Sequence, residues 1–174
     1  GNFNEYTFIN KEPGLYQIQN NDLYDDITGM PKLIFADKPS GISAISYVQS
    51  TFEQLDGVDT YSGKIFRLYN AAFKRLPDPD GLKYWIRNFK SGIDNEREIA
   101  SSFINSNEFI QEYGQNISNN EFVKNLYKNV LKREPDFDGL KYWVGQLNNG
   151  IEARNEILLG FEKLLSKISS SETF

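Results

Sequence analysis

The sequence contains no cysteine and no histidine, and these two absences exclude several kinds of chemistry. Without cysteine there is no thiol nucleophile and no disulfide. Without histidine there is no imidazole base, and zinc sites of the usual nitrogen and sulfur type are excluded. No other catalytic motif takes their place, so we predict a protein that is not an enzyme and has no cofactor. Any metal site must be made of oxygen ligands, which leaves calcium or magnesium as the candidate ion.

Long apolar runs and clustered positive charge are also missing. No stretch approaches the ~20 apolar residues that a membrane-spanning helix needs. The 19 Lys and Arg residues are scattered among 24 Asp and Glu, and the net charge is −5. Nucleic acids and anionic membrane surfaces favour clustered basic residues instead. We therefore expect no nucleic-acid partner and no membrane span.

The composition is that of a globular protein, with 39% hydrophobic and 25% charged residues in a chain of 174. Two short extended segments, 3–9 and 15–19, flank a Pro-Gly pair at 13–14 that suits a tight turn. A third strand is predicted at 32–35. Residues 1–43 are therefore assigned to a β-hairpin or small three-stranded sheet.

From residue 44 onward the apolar residues recur at helical spacing, which predicts a mainly α fold. A leading helix and linker occupy 44–60, and helical repeats follow at 61–118 and 119–174. Equivalent residues of the two repeats are 58 positions apart, since 133 − 75 = 58 and 143 − 85 = 58. At this offset, 17 of the 39 residues at 65–103 are identical to those at 123–161. We predict duplicated helix-turn-helix units packed as one bundle, because such a repeat cannot bury its apolar face alone.

The pattern Arg-x-Pro-Asp-x-Asp-Gly-Leu-x-Tyr-Trp occurs once in each repeat, and a glycine follows seven residues after the tryptophan. Structural roles are predicted for Arg75, Pro77, Gly81, Tyr84, Trp85 and Gly92, and for Arg133, Pro135, Gly139, Tyr142, Trp143 and Gly150. Each tryptophan is expected to pack in the core, whereas the adjacent tyrosine is the better candidate for contact with a glycan. Ion pairs are expected between the two motif arginines and Glu98 or Glu156.

This pattern resembles a bacterial domain-of-unknown-function family, number 4214, in two tandem copies over residues 61–165. Proteins with such repeats are often large and secreted or surface-bound, with calcium-binding repeats-in-toxin or S-layer-like regions. The segments at 26–29 and 33–37 look similar to strands that close a calcium-binding β-roll. The resemblance implies the C-terminal end of an exported protein and an extracellular or cell-surface location.

The function expected from this resemblance is non-catalytic interaction, in attachment, assembly or secretion, with a cell-surface glycan or protein as partner. Two alternatives stay open. The first is a calcium-dependent binding module. The second is a helical linker or scaffold like those of light-harvesting complexes, for which the scarcity of basic residues is unfavourable.

The motif aspartates allow two interpretations. Asp78 and Asp136 suit helix N-caps, and Asp80 and Asp138 suit the first helical turn, where the helix dipole favours negative charge. The same four residues are the candidate calcium ligands, although the EF-hand spacing does not fit, with glycine at position 4 of the loop. Capping is the preferred interpretation. A further acidic group in the β region is interpreted as a loop or an ion site: Asp22, Asp25, Asp26 and Asp37.

Overall fold

The computed structural model describes residues 7–12, 15–20, 23–28, 50–57 and 60–171. It is mainly helical, as the sequence predicts, with a three-stranded antiparallel sheet near the N-terminus. Strands β1 (Thr7–Glu12), β2 (Leu15–Asn20) and β3 (Leu23–Thr28) follow one another as a meander. Ile9 lies opposite Gln17 across the first pair of strands, and Gln17 lies opposite Asp26 across the second.

The structure has a strand that the sequence pattern did not predict. It occupies 23–28, and the predicted strand at 32–35 lies outside the described residues. Aspartate is depleted in strands, so the pattern assigned Asp25 and Asp26 to an acidic loop or ion site. They belong to β3 instead, because backbone pairing with β2 holds them there. Asp22 and Asp37 lie outside the described residues.

Residues 50–52 are helical. Seven further helices follow them in the described chain. In chain order they are α1 (Tyr61–Phe73), α2 (Pro79–Lys90), α3 (Glu96–Ile104), α4 (Asn107–Tyr113), α5 (Asn119–Leu131), α6 (Phe137–Asn148) and α7 (Arg154–Ser171). Side-chain caps start the first six, from Thr60, Asp78, Asn95, Ser106, Ser118 and Asp136. None of these helices is long and apolar enough to cross a membrane.

Corresponding helices of the two halves begin at one constant offset. The arithmetic is 119 − 61 = 58 for α1 and α5, 137 − 79 = 58 for α2 and α6, and 154 − 96 = 58 for α3 and α7. The ends correspond as well, since α1 and α5 each terminate at a lysine in the left-handed conformation, Lys74 and Lys132, both with φ of 53°. The halves therefore share one local fold, and α4 lies between them.

The two halves share one core, in which α7 packs against both α1 and α3 of the first half. Its fully buried side chains come from both: Ile65, Leu68, Leu82 and Ile99 from the first, and Phe122, Val123, Leu126, Ile157, Leu158 and Phe161 from the second. Arg67 on α1 and Glu162 on α7 form a buried ion pair across the contact, with Nε and Oε1 2.6 Å apart. The last helix thus completes the hydrophobic face of the first half.

Candidate functional site

The geometry that recurs in both halves is that of the turn between the first two helices of each half, α1 to α2 and α5 to α6. Asp78 is the N-cap of α2, and its Oδ1 accepts a hydrogen bond of 2.6 Å from the Gly81 N–H. Asp136 caps α6 in the same way, at 2.8 Å from the Gly139 nitrogen. Both carboxylates therefore satisfy backbone donors that a helix start leaves unpaired.

A buried tyrosine explains why each turn carries a glycine. A methyl group on Gly81 would lie 2.5 Å from the Tyr69 hydroxyl oxygen and 2.7 Å from Asp78 Oδ1. A methyl group on Gly139 would collide with the Tyr127 hydroxyl in the same way. Burial raises the pKa of Tyr69 to about 12 and also raises that of Tyr127. Both tyrosines are therefore neutral packing elements at physiological pH.

The motif arginines cover these tyrosine rings, but their acidic partners differ from the prediction. The Arg75 guanidinium lies 5.6 Å from the Tyr69 ring centre and binds both oxygens of Glu108 on α4. Arg133 lies 5.0 Å from the Tyr127 ring centre and binds Asp136 at 3.3 Å. The predicted pairs with Glu98 and Glu156 are wrong.

Those two glutamates have other partners near the starts of α3 and α7. Glu98 accepts a hydrogen bond from the backbone N–H of Asn95, and Glu156 accepts one from Ala153. Glu156 also binds Arg97 at 2.9 Å. They recur at the same offset because each accepts a backbone N–H at a helix start, and that requirement is local.

The motif tryptophans lie at the edge of the core, half-buried. Trp85 meets the ring of buried Phe103 at 5.4 Å, and Trp143 meets that of buried Phe161 at 5.6 Å. A methyl group on Gly160 would lie 3.0 Å from the Trp143 ring, so that glycine makes room for it. The tryptophans therefore pack against the core, as predicted, but neither residue is fully buried.

Beside each tryptophan, a tyrosine is exposed to solvent. Tyr84 is 47% exposed and Tyr142 is 54% exposed. Each meets its tryptophan edge to face, at 4.9 Å and 5.0 Å respectively. We call these two Tyr-Trp pairs the aromatic pairs. An isoleucine recurs on the surface of both halves too, as Ile93 and Ile151.

The remaining motif residues shape the backbone around the aromatic pairs. Gly92 and Gly150 follow the ends of α2 and α6 with φ of 70° and 64°, in the left-handed region that favours glycine. The Pro77 carbonyl accepts a hydrogen bond of 3.0 Å from the buried Thr51 hydroxyl, and Pro135 precedes the second aspartate cap.

Calcium would have to compete with these caps, because Asp78 and Asp136 already bind backbone N–H groups. Asp80 and Asp138 lie in the first turns of α2 and α6. In the described part of the chain no three acidic side chains form a group that could hold an ion. We expect millimolar calcium to leave the melting temperature of the chelated protein unchanged, since a ligand of the native state alone must raise it. A clear rise in a calorimetric melt would contradict this, and magnesium at equal concentration is the control.

Comparison with known proteins gives a match to one family over part of the chain, and no activity. Residues 100–166 match the family described as "Domain of unknown function (DUF4214)". The matched segment begins within α3 and includes α4, α5, α6 and most of α7, so it contains the second motif and is similar to this family there. The first motif precedes it. No curated protein and no solved structure matches the chain.

Proposed function

We propose that this chain is a non-catalytic interaction module, at the C-terminal end of a larger secreted or cell-surface bacterial protein. In this proposal it consists of two copies of the DUF4214 domain, and its partner is a cell-surface glycan. The observation that carries the proposal is the repetition of the aromatic pairs, with Tyr84 and Tyr142 exposed at equivalent positions.

The exposure of these tyrosines is not explained by folding. Both equivalent positions are tyrosine, yet these residues are 47% and 54% exposed and lie outside the buried core. Exposed tyrosine and tryptophan are enriched where proteins bind partners, because they offer large rigid area with a polar group. The apolar face of a sugar ring can stack on such a surface.

The duplication supports a polymeric partner. A glycan with a repeating unit presents the same chemical group many times, and two equivalent sites on one protein can bind it simultaneously. The second binding event is then intramolecular, so avidity exceeds the affinity of either site without any new contact. Two copies of a weak site therefore suffice for attachment.

The test is co-sedimentation with purified insoluble bacterial cell-wall polysaccharide. We expect wild-type protein to bind and Tyr84→Ala/Tyr142→Ala to bind at least tenfold more weakly, with each single variant between them. Tyr61→Ala is the matched control, since Tyr61 is 52% exposed but its equivalent at 119 is asparagine. A folded double variant that sediments like wild type, or a folded wild type that stays in solution, would refute the proposal.

A further inference from the structure

A cavity of about 270 Å³ lies where the two halves meet, away from the aromatic pairs. The end of α3, helix α4, the turn at 114–117 and the first residue of α7 form its walls. Four apolar residues contribute to its lining, namely Ile104, Phe109, Ile110 and Ile117. The polar residues of the lining are Asn105, Gln115, Asn116 and Arg154, so the cavity offers both apolar and polar contacts.

Arg154 is the charged residue of this cavity, and backbone and amide oxygens hold it in place. Its Nη2 donates to the Ile117 carbonyl at 2.6 Å and to Asn119 Oδ1 at 3.1 Å. Its guanidinium carbon lies 4.9 Å from the centre of the Phe122 ring. The guanidinium plane is therefore fixed before any ligand arrives, which lowers the entropy cost of binding.

No carboxylate within the described residues neutralises this guanidinium. The acidic residues of α4 are already paired, Glu108 with Arg75 and Glu112 with Lys74. Glu121 binds Ser118 at the cap of α5, and Glu156 binds Arg97 and the Ala153 N–H. Glu152 precedes Arg154 by two residues, and its buried Oε2 has no hydrogen-bond partner among the described residues. Arg154 Nη1 donates to no acceptor in the described chain.

We infer that this cavity binds a small monocarboxylate with a branched or aromatic apolar group beside the carboxylate. A fixed guanidinium with free N–H groups matches the planar, bidentate geometry of a carboxylate. One cation in a protein of net charge −5 favours a monoanion over a more highly charged phosphate. The volume lies just below the ~300–1,000 Å³ of pockets for drug-sized ligands, so the occupant is small.

The probe for this inference is N-acetyl-leucine, which carries a carboxylate next to a branched side chain. Titration of the labelled protein, followed by amide NMR, should shift the signals of Asn105 and of residues 114–117. N-acetyl-leucinamide is the uncharged control, and we expect it to bind at least tenfold more weakly. Isovalerate has the same branched group without a peptide bond: equal affinity indicates a free acid as natural ligand, and weaker binding indicates a peptide C-terminus.

The variant Arg154→Gln should lose at least tenfold in affinity for N-acetyl-leucine. Arg154→Gln also removes the hydrogen bond to the Ile117 carbonyl, so a second variant that keeps this bond is needed. Gln115→Glu adds negative charge at the exposed rim of the cavity and should weaken binding severalfold. Arg87→Gln, which removes a remote exposed arginine, should bind like wild type. Equal binding of acid and amide, wild-type affinity in both cavity variants, or no shift with folded wild type would overturn the inference.

Discussion

Replacement of Arg67 by methionine is expected to destabilise the protein by about 3–5 kcal/mol, a typical cost of breaking a buried ion pair on one side. The side chains of Arg67 and Glu162 are only 11% and 6% exposed. Removal of the arginine leaves a charged carboxylate in the contact between α1 and α7. Urea unfolding at pH 7 measures the loss. The double variant Arg67→Met/Glu162→Leu should recover most of it, since neither charge is then buried.

The pH dependence of Arg67→Met provides an independent check. Burial already raises the pKa of Glu162 in the native protein, against the lowering effect of Arg67. Without Arg67 the pKa must rise further. A carboxyl group whose pKa is higher in the folded than in the unfolded state stabilises the fold when protonated, and this contribution is lost as the pH rises. The deficit of the variant should therefore shrink as the pH falls toward the raised pKa. A deficit that does not change with pH would show that lost packing, not buried charge, is its cause.

The second large effect is expected from Phe161→Ala, which should cost about 3–5 kcal/mol. Phe161 is fully buried, and its ring centre lies 5.0 Å from that of Tyr127 and 5.6 Å from that of Trp143. Truncation would open a cavity under both aromatic rings. Trp143→Ala is the matched comparison and should cost less, because the tryptophan is half-buried. If thermal or urea unfolding ranks the two variants in the opposite order, Trp143 is the more important core residue.

The helical part of the fold follows from local sequence signals. The spacing of Ser118 and Glu121 predicts a capping box, and the structure has both of its hydrogen bonds. Asp78 and Asp136 were assignable as caps because glycine and a helix former follow each. Because the motif is duplicated, the same cap is predicted independently at two equivalent positions. Local hydrogen bonds of this kind depend on a few neighbouring residues, which is why sequence patterns predict them.

Contacts over long sequence distances were not predictable in this way. The partner of Arg75 is Glu108, 33 residues away, and only the packing of α4 brings it there. The ion pair of Arg67 with Glu162 spans 95 residues and has no counterpart in the second half, where residue 125 is asparagine. The cavity could not be predicted from the sequence either, because its walls come from separate elements and Arg154 lies in no recognisable motif.

The turn between α1 and α2 and the turn between α5 and α6 should differ in local stability, because an acidic residue that supports the first has no counterpart for the second. Glu108 anchors the first turn through Arg75, but the residue at the same offset in the second half, 108 + 58 = 166, is Ser166. Within the described residues, the carboxylate that Arg133 binds is therefore Asp136, the cap of its own turn, and that bond is exposed. Local breathing of the native protein should accordingly begin at residues 132–139, where amide hydrogens exchange with solvent sooner than those at 74–81. The same motif thus forms two turns that differ in local stability, and the first turn is the more stable one.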